Sequence, residues 1–597
     1  MKKLSVAILS LMMIFSLVGC GQQTASVEDL RLSDTTSYTV PSSRQLSTME
    51  YVTTALVEDH EFNANFVDGL LENNPKGQLV GALAESWESN EDSTEWTFHL
   101  RQGVKWVTNT GEEYAEVTAQ DFVTGLRHSA EFQSGTGTVI FGAVKGYEEY
   151  YSGGDFSDEA WANVGIEAVD DYTVKYTMET PIPYFPSMTT YSILYPVNKE
   201  FLESKGSGCV LGSPDKNACD FGTTLADSIL YNGAFILETY DLDSQTVLTK
   251  NESYWDIDNV HLDTVTWIYD DGSDTYSAIR GFEQGNYAQA ALNASWEDFD
   301  EYYAKYDGYV NSSLPNAYVF GVVFNYNRQS FNYTNYANDE AMRENTHNAI
   351  MNENFRKAVR ASYDVLAKLM VNQVESVATS MIRNANTVPN LVTTSDGTNY
   401  LDLVEEAYTE ATGETVDLSD GQYPWLNKEA ALGYIEAAKA EGIEFQVHLD
   451  MLVTETSDSL VKEAQSMKQS IEENTDGQII IEIVLQPEET VNAVAYDTTN
   501  YADADFDIST YTGWGPDYLD PKTFVDIYSP TVGYYMHAMG LTDQVYAPDA
   551  YGSDDDVKEA VGWNEYEELY RTADAITDNL DNRYRAFALA DAYLIEH

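Results

Sequence analysis

The sequence predicts an α/β protein of several domains, on three observations. Stretches that alternate bulky apolar with polar residues recur along the chain, as half-buried strands do. Residues 444–485 read in the order strand, helix, strand, a unit that pairs its strands most naturally in parallel. Apolar residues make up 43% and aromatic residues 13% of 597, enough to pack about two to four domains of ~100–200 residues each.

The chain opens with Met1, Lys2 and Lys3, followed from Leu4 to Phe15 by an apolar run broken by Ser5 and Ser10. That is the plan of a signal peptide over residues 1–19. The run falls short of the roughly 20 apolar residues that span a bilayer. Leu17–Cys20 (LVGC) resembles a bacterial lipobox, so cleavage before Cys20 leaves that residue as the lipidated N-terminus. Residues 20–45 then form the lipid anchor and tether. The alternative is an ordinary secretory signal with an accidental cysteine.

Trp96–Leu100 alternates as a strand, and Val117–Val123 (VTAQDFV) places Thr118 as a helix N-cap with Asp121 at the third position, a capping box. Asp171–Met178, Gln245–Lys250, Asp263–Tyr269 and Tyr318–Tyr326 read as further strands. Asn354–Tyr363 is helical by its apolar spacing. Glu444–Leu449, Ser459–Glu473 and Ile479–Leu485 make the strand, helix, strand unit, and Asp581–His597 reads as a closing helix.

Cys209 and Cys219 flank a loop rich in Gly, Pro, Asp and Asn. In an exported chain this pair reads as a disulfide-closed surface insertion, with two free thiols as the alternative.

Against 32 Lys plus Arg stand 98 Asp plus Glu, a formal net charge of −66. Such a surface repels a phosphate backbone and no basic patch is segregated, so no nucleic-acid partner is expected. Loss of the signal peptide removes two lysines and no acid. The exported body is more acidic still, and its membrane attachment must come through lipid.

Catalytic signatures are missing from the sequence: no Walker A loop, no GxSxG elbow and no HExxH pair. Asp503, Asp505 and Asp507 alternate like the start of a calcium loop, but Ile508 stands where the loop needs Gly and Trp514 where it needs Glu. Asp554–Asp556 reads as a solvated loop. No metal, no cofactor and no catalytic residue are therefore expected, and binding gains over catalysis.

One stretch carries binding chemistry, Thr510–Pro521 (TYTGWGPDYLDP). Thr510–Thr512 can continue a strand from Phe506–Ser509. Gly513 and Gly515 allow close backbone approach, and Pro516 and Pro521 stiffen the loop. Asp517, held beside Tyr511 and Trp514, can pair with a ligand ammonium while strand amides pair with a peptide main chain. A purely structural Asp-turn beside a core Trp explains the same residues.

Leu79–Trp87 (LVGALAESW), Trp96–Trp106 (WTFHLRQGVKW), Val117–Val123, Tyr231–Phe235 (YNGAF), Lys250–Asp256 (KNESYWD) and Phe355–Ala361 (FRKAVRA) follow one another in an order and spacing that resembles the extracytoplasmic solute-binding proteins of oligopeptide and dipeptide ABC importers. The resemblance implies a bilobed, periplasmic-binding-protein-like α/β fold with a hinge between lobes. Lobe I would comprise 46–67 plus 190–318, an additional α/β domain 68–189, and lobe II 319–597. It implies that Trp514, Gly515 and Asp517 line the cleft, with Asp517 on the peptide's α-ammonium, and that Phe324 and Asn325 lie where the chain crosses between lobes. The family continues past the last helix with a returning strand, so this sequence is expected to stop short of it. Expected partners are an oligopeptide, ABC permease subunits and the membrane through the N-terminal lipid, for a monomer on the outer face of a bacterial cell membrane. An acidic secreted hydrolase and a peptide sensor without transport stand as alternatives.

Overall fold

The computed structural model describes residues 36–294, 296–312, 316–334, 339–496, 500–545 and 547–597. The signal peptide and Cys20 lie outside the described residues. The chain divides into two compact units, one of residues up to Glu88, Thr97–Thr177 and Thr189–Leu292, the other of Ser89–Trp96, Met178–Met188 and Asn293–His597.

Wholly or mainly in unit 1 lie strands β1 (Ser37–Ser42), β2 (Ala84–Ser89), β3 (Glu95–Leu100), β4 (Ile166–Asp170), β5 (Thr173–Thr177), β6 (Phe235–Asp241), β7 (Gln245–Lys250) and β8 (Thr264–Tyr269). One sheet has the order β1-β8-β7-β6 and a second the order β2-β3-β5-β4. β1 pairs with β8 in parallel, Ser37 opposite Thr264. Ser37–Ser42 lies within the expected tether, which is corrected here: paired backbone, not loose chain, occupies those positions. Tyr38, Thr39 and Val40 are aromatic and β-branched residues that favour a strand.

Helix α1 (Ala119–Glu131) starts at Thr118 as its capping box predicts: the Asp121 carboxylate accepts the Thr118 N–H at 2.9 Å. That carboxylate also takes the Trp106 indole N–H at 3.0 Å, and burial pushes it up to about 6. Cys209 and Cys219 are joined by a disulfide with Cα atoms 4.9 Å apart. Within the loop it closes, the Gly212 N–H donates to Glu131 of α1 at 2.8 Å.

Unit 2 carries β9 (Val319–Phe324), α2 (Glu340–Met351), α3 (Glu353–Ser362), β10 (Val447–Thr454), α4 (Asp458–Asn474), β11 (Ile479–Gln486), β12 (Ile508–Trp514), α5 (Trp563–Asp574) and α6 (Leu580–Glu596). β10 and β11 pair in parallel over eight positions from Val447 opposite Ile479 to Thr454 opposite Gln486, with α4 as the crossover. The core beneath them takes Leu449, Met451 and Val453 from one strand and Ile479 and Ile481 from the other, packed with Met467 and Ile471 of α4. β9 and β12 pair antiparallel, Val319 opposite Trp514 and Phe324 opposite Ile508.

Two acidic motifs have a different role from the one their sequence suggests. Asp505 and Asp507 are buried and, with Asp450 of β10, surround Arg328: guanidinium to carboxylate distances are 2.8 Å, 3.0 Å and 2.9 Å respectively. This cluster ties the approach to β12 onto β10. Asp554, read as part of a solvated loop, is buried; it accepts the Thr542 N–H at 2.7 Å and pairs with Lys558 at 3.0 Å. Its partners lie in another segment, which the local run of acids could not reveal. No helix among the described residues is long and apolar enough to cross a membrane.

Candidate functional site

The Gly513–Pro521 stretch leaves the end of β12 and returns into a short helix, Lys522–Val525. Its strand reaches Trp514, two residues beyond the expected end at Thr512, and starts at Ile508 instead of Phe506. Four attachments hold the loop. The Asp517 N–H donates to Thr523 Oγ1 at 2.8 Å. The Leu519 N–H donates to Ser187 Oγ at 2.9 Å, and Tyr518 stacks on Tyr184 with centroids 4.4 Å apart. Asp520 receives Arg583 of α6 in a two-pronged pair, Nε to Oδ2 at 2.8 Å and Nη2 to Oδ1 at 3.0 Å. Asp517 therefore sits on a clamped turn, partly exposed.

Arg583 and Lys522 are engaged by Asp520 and Asp574, Lys522 Nζ lying 2.9 Å from Asp574. Asp517 and Asp526 add two more carboxyl groups to the same neighbourhood. Burial pushes the Asp526 carboxyl up to about 7; Lys522 opposes the rise and the Asp517 charge adds to it. A cation placed at Asp517 would weaken that contribution to Asp526.

Trp514 packs on Tyr534 and Tyr535 with centroids 5.6 Å and 6.1 Å away, forming the aromatic wall beside the turn. Opposite, β9 lays aromatic rings over the two glycines. A Cβ at Gly513 would fall 2.3 Å from the Phe320 ring, and one at Gly515 2.7 Å from the Tyr318 ring. Glycine at both positions lets the rings approach this closely; a Cβ would displace them.

The other sequence-predicted residues point elsewhere. The Tyr511 hydroxyl accepts the Thr454 N–H at 3.1 Å, which ties β12 to β10. Phe324 packs on the core of unit 2. Asn325 is buried, its Nδ2 donating to the Ala504 carbonyl at 3.0 Å and its Oδ1 accepting from the Asn327 N–H at 3.1 Å. Gly540, at φ +71°, has room only for hydrogen on the side facing Asn325, whose Oδ1 would lie 2.1 Å from an added Cβ. Trp514, Gly513, Gly515 and Asp517 thus come together, whereas Tyr511, Phe324 and Asn325 hold the strands that present them. Sequence reasoning missed Tyr318 and Phe320; their alternation on a strand facing two glycines was the signal available.

The chain belongs to the bacterial extracellular solute-binding proteins: residues 78–535 match the model of family 5 (Middle). It is 35% identical over 556 residues to the oligopeptide-binding protein AliA of Streptococcus pneumoniae, covering 92% of this chain and 81% of that one. It is 34% identical to the oligopeptide-binding protein AmiA of the same species over 92% of this chain and 81% of the other. Among solved structures it is similar to the substrate-binding domain of an oligopeptide ABC transporter from Bacillus anthracis (TM-score 0.58, 21% identity, 94% of this chain and 91% of that one). It is likewise similar to Listeria monocytogenes OppA bound to peptide (TM-score 0.57, 19% identity, 94% and 91%). These likenesses give the chain the fold of that class, and the bilobed α/β expectation is borne out.

Proposed function

We propose that this chain is a lipid-anchored extracellular peptide-binding protein that captures oligopeptides and delivers them to an ABC-type permease. The observation that carries this reading is Asp517 on its clamped turn, beside Trp514 and the Gly513 and Gly515 backbone. Family membership supports the class of activity, and the names of the relatives, oligopeptide-binding proteins, support the ligand. In this reading Asp517 accepts the peptide α-ammonium by a charge-assisted hydrogen bond, and the Gly513–Gly515 backbone pairs with the peptide main chain. Binding that favours one arrangement of the lobes supplies the signal for docking on a permease. Cys20 carries the lipid, and the lobe and extra-domain boundaries follow the resemblance.

Native mass spectrometry of the purified protein incubated with a peptide mixture tests the reading. Retention of intact peptides at one per chain supports it. Cleaved peptides, or none retained, would overturn it in favour of a hydrolase or another ligand.

A further inference from the structure

Phe320 is the most exposed large apolar side chain among the described residues, at 72%, and Tyr318 is 50% exposed. Phe320 lies on β9 and Tyr318 immediately precedes that strand, two positions from Phe320, with ring centroids 6.4 Å from each other. They are not loose surface residues. Each ring lies against a glycine of the opposing segment, Phe320 on Gly513 and Tyr318 on Gly515, where an added Cβ would have to push the ring aside. The start of the strand is pinned as well: the Tyr318 N–H donates to Asn316 Oδ1 at 3.2 Å, and Arg383 donates to the Asn316 carbonyl. The result is a shelf of two aromatic faces, one edge of which begins two residues from Asp517.

Exposed apolar surface of this kind, seated on rigid backbone and bordered by a charged anchor, is what binding surfaces present. Resting on the peptide-binding reading above, we propose that Tyr318 and Phe320 are its specificity-determining residues, selecting peptides with an apolar or aromatic side chain among the first three positions. The occupant follows from the arrangement. A ligand whose ammonium sits at Asp517 and whose main chain follows Gly515 and Gly513 must pass its first side chains over Tyr318 and then Phe320. Flat rings offer stacking area to aromatic and aliphatic groups and no hydrogen-bond partner for polar ones apart from the Tyr318 hydroxyl. Selectivity of about tenfold is the scale expected for burying one such side chain in part.

The test is titration calorimetry with alanine pentapeptides bearing a free amino terminus and a single Phe moved through positions one to five. For the unaltered chain, Phe at one of the first three positions tightens binding about tenfold over the all-Ala peptide, and Phe at position five does not. In Phe320→Ala combined with Tyr318→Ala that gain falls below about twofold, while the all-Ala peptide loses less than about threefold. A gain that survives the double substitution, or equal loss for every peptide, overturns the shelf while leaving peptide binding intact. Binding of none of the peptides by the unaltered chain overturns the peptide-binding reading, and the shelf with it.

Discussion

Arg583 grips Asp520 with two parallel hydrogen bonds, 2.8 Å and 3.0 Å, and both side chains are buried. The same guanidinium donates to the carbonyls of Asp574 and Ile576 at 3.0 Å and 3.1 Å, so one side chain of α6 fixes the end of α5 and the base of the Asp517 turn. Removing one partner of a buried, hydrogen-bonded pair leaves a charge without compensation. Arg583→Met should therefore cost about 3–5 kcal/mol in urea unfolding. Combined with Asp520→Asn it should cost less than the sum of the two single substitutions, which a double-mutant cycle measures.

The Arg328 cluster opposes one guanidinium to three carboxylates, and burial, with repulsion from Asp507, pushes Asp450 up to about 6. Asp450→Asn removes that repulsion and keeps the shape of the side chain. At pH 8 it should be neutral or stabilising, whereas Arg328→Met should destabilise by more than about 3 kcal/mol. Urea midpoints of the two variants check the contrast.

Asp526 titrates near 7 in the folded chain against an ordinary value of 3.8. Between those values the folded state holds a proton that the unfolded state has released, so this group's stabilising effect is full below pH ~4 and is lost as pH rises toward 7. Asp526→Asn should flatten the stability profile over that window relative to the unaltered chain. A peptide ammonium at Asp517 offsets the charge that raises Asp526, so binding near pH 7 should release protons. Calorimetry in buffers of different ionisation enthalpy reads the release, and Asp526→Asn should abolish it.

Phe320 and Gly513 should be energetically coupled, since a Cβ at Gly513 would fall 2.3 Å from the ring. Gly513→Ala should cost about 1 kcal/mol with Phe320 present and much less in Phe320→Ala. Urea unfolding of the four chains measures the difference.

Local patterning made much of the fold legible. The alternation of Gln245–Lys250 gave β7 with its bounds, Thr118 and Asp121 gave the start of α1, and the run from Glu444 to Leu485 gave the parallel β10–α4–β11 unit, though β10 begins at Val447. At the site, Gly513, Trp514, Gly515 and Asp517 stood out because glycine, proline and aspartate at that spacing have local conformational meaning. What stayed hidden depends on partners distant in sequence. Arg583 meets Asp520 from 63 positions away, Arg328 meets Asp450 from 122, and neither charge announces its partner. Ser37–Ser42 looked like tether because its partner strand begins at Thr264. The exposure of Phe320 was invisible because an alternating strand does not say which face is left uncovered.

The central claim is that Asp517 holds the amino terminus of a peptide. Calorimetry with a peptide and its N-acetylated form, on the unaltered chain and on Asp517→Ala, tests it most directly. A charge-assisted hydrogen bond is worth about 1.5–3 kcal/mol, so the substitution should weaken the free-amino peptide roughly 10- to 100-fold and leave the acetylated one nearly unchanged. Equal loss for both peptides would contradict the claim.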